Sequence, residues 1–218
     1  MHLSLEQREL TLKLVYYGPA LSGKTTNLST LCGMVRKECR GSLITLDTLN
    51  DRTLFFDLLP VRVSTSAGFS IKIKLFTVPG QVMHNSTRRL VLSGSDGVAF
   101  VADSQKMMIA SNNESWKNLS ENLSANGLDP SSIPIVIQFN KRDLSSTIPD
   151  AEIDSLAKNG KEPVFKSVAT TGLGVAETFT GLADAVWENL QAKHSIETRL
   201  KVAPGEFREG LSLLFKKE

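Results

Sequence analysis

The chain has 218 residues, 41% of them hydrophobic and 22% charged, with a formal net charge of +2. That length suits one domain with room for a short appendage, and the apolar share is enough to build a core around. The near-balanced charge and the lack of a long basic run argue against nucleic-acid binding.

The N-terminus, "MHLSLEQREL", carries charges early and lacks an apolar core of signal-peptide length. No uninterrupted apolar segment approaches membrane-spanning length, so no stable membrane insertion is expected and the chain reads as cytoplasmic. Strand-like and helix-like segments then alternate. "LTLKLVYY" alternates before turning continuously apolar, and leads through a Gly-rich turn into a helical stretch over 24–35. "SLITLD" and "LFFDLLPV" read as short extended pieces. "FSIKIKLFTV" sets Ile71, Ile73 and Leu75 against Lys72 and Lys74, a strand with one wet face near a sheet edge. "GVAFVAD" and "IPIVIQFN" are the apolar runs of buried parallel strands, and "PVFKSVA" is a weaker one. Helical patterns fall at 82–93, 112–126, 150–158 and 175–193. The expected fold is α/β, a three-layer P-loop NTPase arrangement with a mostly parallel six-stranded sheet and helices on both faces. Ligands of such sheets bind at the carboxyl ends of the strands.

Cys32 and Cys39 lack CxxC spacing and read as free thiols. The Asn-x-Ser/Thr triplets at Asn27, Asn85, Asn113, Asn118 and Asn122 carry no meaning without an export signal.

The chemistry gathers at the strand ends. The first long strand runs into "GPALSGKT", which matches G-x-x-x-x-G-K-[ST] with a strand before it and a helix after it. In such a loop the backbone N–H groups curl around a phosphate and the helix N-terminus adds its positive end. Gly18, Ala20, Leu21, Ser22, Gly23, Lys24, Thr25 and Thr26 are the residues expected to hold the phosphates. Lys24 supplies a point charge and the Thr25 hydroxyl a magnesium ligand. The plain alternative is a glycine-bearing loop before a capped helix.

Downstream, "NKRD" closes an apolar strand. Asp143 has the acceptors for guanine N1–H and its 2-amino group. Adenine lacks those donors and would leave the carboxylate unpaired. The stem of Lys141 suits one face of the base, and Asn140 suits a tie to the phosphate loop. "SVATTG", with Val168, Ala169 and Thr170, offers a third base contact, the Ala169 N–H to guanine O6. Alone, "NKRD" is an ordinary polar turn; behind a phosphate loop it points to GTP/GDP. The stretch "FTVPGQV" follows the alternating strand. There Gly80 has an N–H for a γ-phosphate and Gln81 an amide to orient the attacking water. Its alternative is a Pro-Gly turn with an incidental Gln.

Together these motifs resemble the small Ras-like GTPases, and more closely the MglA family of polarity GTPases. "VYYGPALSGKTTNL", "DRTLFFDLLP", "TVPGQV", "DGVAFVADSQ" and "QFNKRDL" carry the resemblance, which spans residues 8–193. It implies a GTPase domain over 1–194 and an extension over 195–218. It implies that Thr53 binds magnesium together with Thr25, and that Arg52 is an arginine finger supplied in cis. Such a finger is worth about 10³–10⁵ in rate. On the residues alone, Arg52 reads equally as a solvated loop charge, and Phe55 and Phe56 as core packing or partner surface. The resemblance further implies a roadblock-domain activating partner of the MglB kind, a downstream effector, and recruitment to a cell pole.

Two departures stand out. Where Ras-like switches carry a magnesium-steadying aspartate, this chain has Thr77, a substitution shared by MglA-like proteins. Thr77 through a bound water, or Asp57 in "LFFDLL" as a substitute carboxylate, is the expected replacement. And Ala20 stands where MglA-like proteins have Gly, which predicts intact binding with slowed hydrolysis. The tail "SIETRLKVAPGEFREGLSLLFKKE" adds Phe207, Leu211, Leu214 and Phe215 at helical spacing. This short amphipathic helix could pack on its own domain, a partner or a membrane surface. Three functions therefore compete: a GTP-hydrolysing switch, a slowly hydrolysing guanine-nucleotide scaffold, and, less well supported by "NKRD", a P-loop kinase of a small acceptor.

Overall fold

In chain order the elements are β1 (His2–Ser4), β2 (Glu9–Tyr17), α1 (Lys24–Met34), β3 (Ile44–Leu46), β4 (Phe56–Ser64), β5 (Ser70–Thr77) and α2 (Asn85–Leu92). They continue as β6 (Gly97–Asp103), α3 (Ile109–Ala125), β7 (Ile135–Asn140), α4 (Asp150–Asn159), β8 (Val164–Lys166), α5 (Val175–His194), α6 (Ile196–Leu200) and α7 (Glu206–Leu213). The structure is a computed structural model that describes residues 1–46, 56–80 and 85–215, with Leu46 and Phe56 described by their backbone only.

Alternation in β2 explains why it is central. Leu10, Leu12, Leu14 and Tyr16 enter one core while Val15 and Tyr17 enter the other. The strand order is β3-β4-β5-β2-β6-β7-β8, with β1 paired to β2. The pairs β2–β5, β2–β6, β6–β7 and β7–β8 are parallel, and β1–β2, β3–β4 and β4–β5 are antiparallel. Helices α1, α5, α6 and α7 pack into the core on one face. Helices α2, α3 and α4 pack into the core on the other. The α/β three-layer expectation therefore holds.

The sheet has eight strands rather than the expected six. The three-residue β3 falls within the extended piece expected at "SLITLD"; the addition β1, also three residues, is too short to show any period and forms because β2 offers an open edge. β6 pairs with β2 only over Leu14–Tyr17, which leaves Glu9–Thr11 free for β1. The edge position expected for "FSIKIKLFTV" is corrected too. β5 lies inside the sheet, between β4 and β2. Its wet face is real, because Lys72 and Lys74 stay half-buried while Ile71, Ile73 and Leu75 are fully buried. From Phe56 onward the piece "LFFDLLPV" is the start of the nine-residue β4, and its first two residues lie outside the described residues.

The tail stripe packs on the protein's own core. Phe207, Leu211 and Leu214 are at most 2% exposed, and Phe207 stacks on Trp187 at 4.4 Å between ring centroids. Among the described residues no helix is long and apolar enough to cross a membrane.

Candidate nucleotide-binding site

The turn from β2 into α1 is shaped by its two motif glycines. Gly18 (φ 146°) and Gly23 (φ 99°) have backbones that L side chains rarely adopt. A Cβ on Gly18 would also strike the Val101 carbonyl, and one on Gly23 the Asn140 amide. Leu21 is left-handed as well (φ 61°), at a cost of roughly 1–2 kcal/mol, with its side chain 87% exposed at the mouth of the loop. Strain of this kind is kept where a loop must present its amides in one direction. Helix α1 begins at Gly23 with no capping side chain and no acid in its first turn, so its N-terminal N–H groups remain available to an anion.

A cleft of about 540 Å³ opens above this loop. Ala20, Leu21, Gly23, Lys24, Thr25 and Thr26 line it from the loop and α1; Thr45, Asp57, Thr77 and Gly80 line it from the sheet. Lys24 is 6% exposed, and its Nζ donates to the carbonyls of Gly18 (3.0 Å) and Pro19 (2.6 Å). Burial first, and the Arg88 charge second, push this ammonium down to about 7, with Asp57 pulling the other way. A buried lysine satisfied among the described residues by carbonyls alone fits an anionic ligand, whose charge would offset the desolvation. The hydroxyl of Ser22 is fully buried without a partner among the described residues, and Ser22 is not part of the cleft lining.

Asp57 and Thr77 form one unit. The antiparallel β4–β5 register, Leu58 opposite Phe76, sets them side by side. The Thr77 hydroxyl donates to Asp57 Oδ2 (2.9 Å) and accepts from the Asp57 N–H (2.9 Å), while Thr45 Oγ1 donates to Oδ1 (2.9 Å). The two candidates for the missing aspartate are therefore not alternatives. Among the described residues no group of three or more His, Cys, Asp or Glu gathers to hold a metal. The hard-oxygen set of Thr25, Asp57 and Thr77 fits magnesium, which takes few protein ligands and shares phosphate oxygens. Thr53, Arg52 and Gln81 lie outside the described residues.

The "NKRD" and "SVATTG" loops are joined to the loop before α1 through Asn140. Its Nδ2 donates to the Ser22 carbonyl (2.8 Å), and its Oδ1 accepts from Ser167 Oγ (3.0 Å) and the Ala169 N–H (2.9 Å). That amide, expected to meet guanine O6, is thus already paired with Asn140, and a base oxygen would share or displace the bond. Thr30 Oγ1 donates to the Ala169 carbonyl (2.7 Å), tying the loop to α1. Val168 is buried beneath, while Thr170 and Asp143 are exposed. Lys141 is left-handed (φ 65°) and its Nζ pairs with Asp103 Oδ2 (2.7 Å), which fixes its stem.

Three contributions escape a reading of the chain. Asp103 anchors Lys141. Gln138 bridges Asn27 (2.8 and 2.9 Å) and Thr178 (2.8 Å), locking α1 and α5 to β7. Arg88 is 0% exposed. Its signal was present in "NSTRRLVL", where an arginine three and four residues before Val91 and Leu92 falls on the apolar face of the helix.

No protein-family model matches the chain. It is 44% identical over 189 residues to the mutual gliding-motility protein MglA of Myxococcus xanthus (strain DK1622), covering 87% of this chain and 97% of that relative. It is 25% identical over 194 residues to ADP-ribosylation factor-like protein 6 of Caenorhabditis briggsae, covering 79% of this chain and all of that relative. At that identity over nearly the whole of the Myxococcus protein, the chain belongs to the MglA family of small Ras-like GTPases.

Proposed function

We propose that this protein is a guanine-nucleotide switch that binds GTP with magnesium, hydrolyses it to GDP and phosphate, and signals through partners that prefer one state. The observation that carries the reading is the single linked site: a buried Lys24 in a glycine-shaped loop, joined by Asn140 to the "NKRD" loop. Lys24 and the α1 N-terminus hold the outer phosphates, Asp143 reads guanine, and the Gly80 N–H meets the γ-phosphate. Gln81 orients the attacking water, and Arg52 neutralises charge on the transferring group. Thr25, Thr53 and the Asp57–Thr77 unit hold magnesium, which when bound neutralises phosphate charge. Membership of the MglA family supports cell polarity or surface motility as the process. By the same resemblance we propose a roadblock-domain activator, an effector specific for the GTP state, and a cytoplasmic protein recruited to a cell pole.

The test is single-turnover phosphate release from protein preloaded with GTP and magnesium, with no partner added. A rate of about 10⁻² s⁻¹ is expected of an enzyme carrying its arginine in cis. Failure to retain GTP at all would overturn the reading.

One observation favours a slower, scaffold-like protein. Gly80 lies directly on Ala20: a Cβ there would fall inside van der Waals contact of Ala20 Cα, 2.8 Å from its N and 3.1 Å from its Cβ. The Ala20 methyl therefore faces the point where Gly80 and the γ-phosphate must meet. Ala20→Gly is expected to raise the single-turnover rate a few-fold, less than about 1.4 kcal/mol on the barrier. No change, or a fall, would reject crowding by the methyl.

A further inference from the structure

Arginine is almost never fully buried unless it is paired, yet Arg88 on α2 is 0% exposed. Its partners among the described residues are not carboxylates. Nε donates to the Pro79 carbonyl (2.9 Å), Nη2 to the Gly80 carbonyl, and Nη1 to Asn118 Oδ1 (2.9 Å), while the guanidinium sits 5.3 Å over the Tyr17 ring. The same Asn118 oxygen accepts from the Tyr17 hydroxyl. Asn122 donates to Tyr17 (3.1 Å) and to Asn85 Oδ1 (2.7 Å). The arginine is therefore seated in a rigid polar network shared by α2, α3 and β2. A buried cation is costly to keep with neutral acceptors alone, so its placement calls for a purpose at the point it grips.

That point is the Pro79–Gly80 backbone. In a trans peptide the carbonyl oxygen of one residue and the N–H of the next lie in one plane and point in opposite directions. Holding the Pro79 oxygen against α2 sends the Gly80 N–H the other way, toward the phosphate loop, where Gly80 borders the cleft beside Ala20. Holding the Gly80 oxygen as well restrains rotation on both sides of the Gly80 Cα.

We infer that Arg88 is a positioning residue for γ-phosphate recognition: by gripping the carbonyls on both sides of Gly80 it aims the Gly80 amide into the phosphate cleft. This rests on the nucleotide reading of that cleft. It assigns Arg88 a role that concerns GTP far more than GDP, since only GTP carries the group the amide would meet.

The experiment measures the affinities of fluorescent GDP and a fluorescent β,γ-imido analogue of GTP, with magnesium, for wild type, Arg88→Met and Arg88→Lys, beside their thermal melts. Methionine keeps a flexible stem without donors. Lysine keeps the charge but not the fork, and decides the matter where the methionine variant does not fold. In each folded variant the analogue is expected to lose about tenfold more affinity than GDP does, the scale of one charge-assisted hydrogen bond. Equal losses for both nucleotides would make Arg88 merely structural and overturn the inference, as would no loss for either. Wild type that binds neither nucleotide would instead bring down the nucleotide reading, and this inference with it.

Discussion

Asp57→Ala is expected to uncouple nucleotide retention from magnesium, raising the magnesium concentration needed for slow GDP release by about 10–100-fold. Asp57 is 4% exposed, and each of its carboxylate oxygens already accepts one hydroxyl, from Thr45 and from Thr77. An ionised carboxylate has about four acceptor positions, so lone pairs remain for the cleft that it lines. The cleft then pairs a negative group suited to a cation with Lys24, a positive one suited to phosphate. Alanine removes the negative half and also leaves two hydroxyls without their acceptor. Thr77→Val provides the comparison. It keeps the carboxylate but strips one of its donors, and leaves the Asp57 N–H without its acceptor. Its effect on magnesium should have the same sign and be smaller. The measurement is the release rate of fluorescent GDP across a magnesium titration. Unchanged magnesium dependence in Asp57→Ala would sink the assignment.

This site shows which parts of a chain can be read before the fold is known. The phosphate loop was legible because its chemistry is local: eight consecutive residues between a strand and a helix carry both glycines, Lys24 and Thr25. "NKRD" was legible for the same reason, and its meaning came from company. Asp57 could be named but not placed, because its use depends on a β4–β5 register that sets it opposite Thr77, twenty residues away. Arg88 and Gln138 were harder still. A charged residue in an amphipathic helix reads as solvated, and a glutamine within "IVIQFN" reads as an interruption. Only packing shows that each satisfies groups on other elements. The fold followed the same logic. Long periodic segments gave helix 24–35 and helix 175–193 within a residue or two. The three-residue strand β1 forms because an edge of β2 is open beside it.

The tail reverses the usual expectation that a C-terminal appendage is dispensable. Phe207→Ala is expected to destabilise the whole protein by about 3–5 kcal/mol, read from the midpoint of denaturant unfolding. Phe207 is 1% exposed and lies nearly parallel to Trp187, at an interplanar angle of 17°. Such a pair adds about 0.5–1.5 kcal/mol to the area it buries. The surroundings leave little scope for collapse. Gly210 is so close to Val63 that a Cβ would strike its Cγ1, the Ser66 N–H donates to Glu206, and the Arg36 N–H donates to the Leu214 carbonyl at 2.9 Å. Arg208 pairs with Asp184 and Glu188 on α5, but Arg208 and Glu188 are largely exposed and the pairs add little. The apolar contacts therefore dominate, and they fall on Trp187 of α5 and on β4, which reaches from Val63 at the tail to Asp57 in the cleft. A loss below about 1 kcal/mol, the range of a surface substitution, would mean that α7 is a detachable helix. A loss of the expected size makes it a fixed part of the core, bracing the strand that carries Asp57.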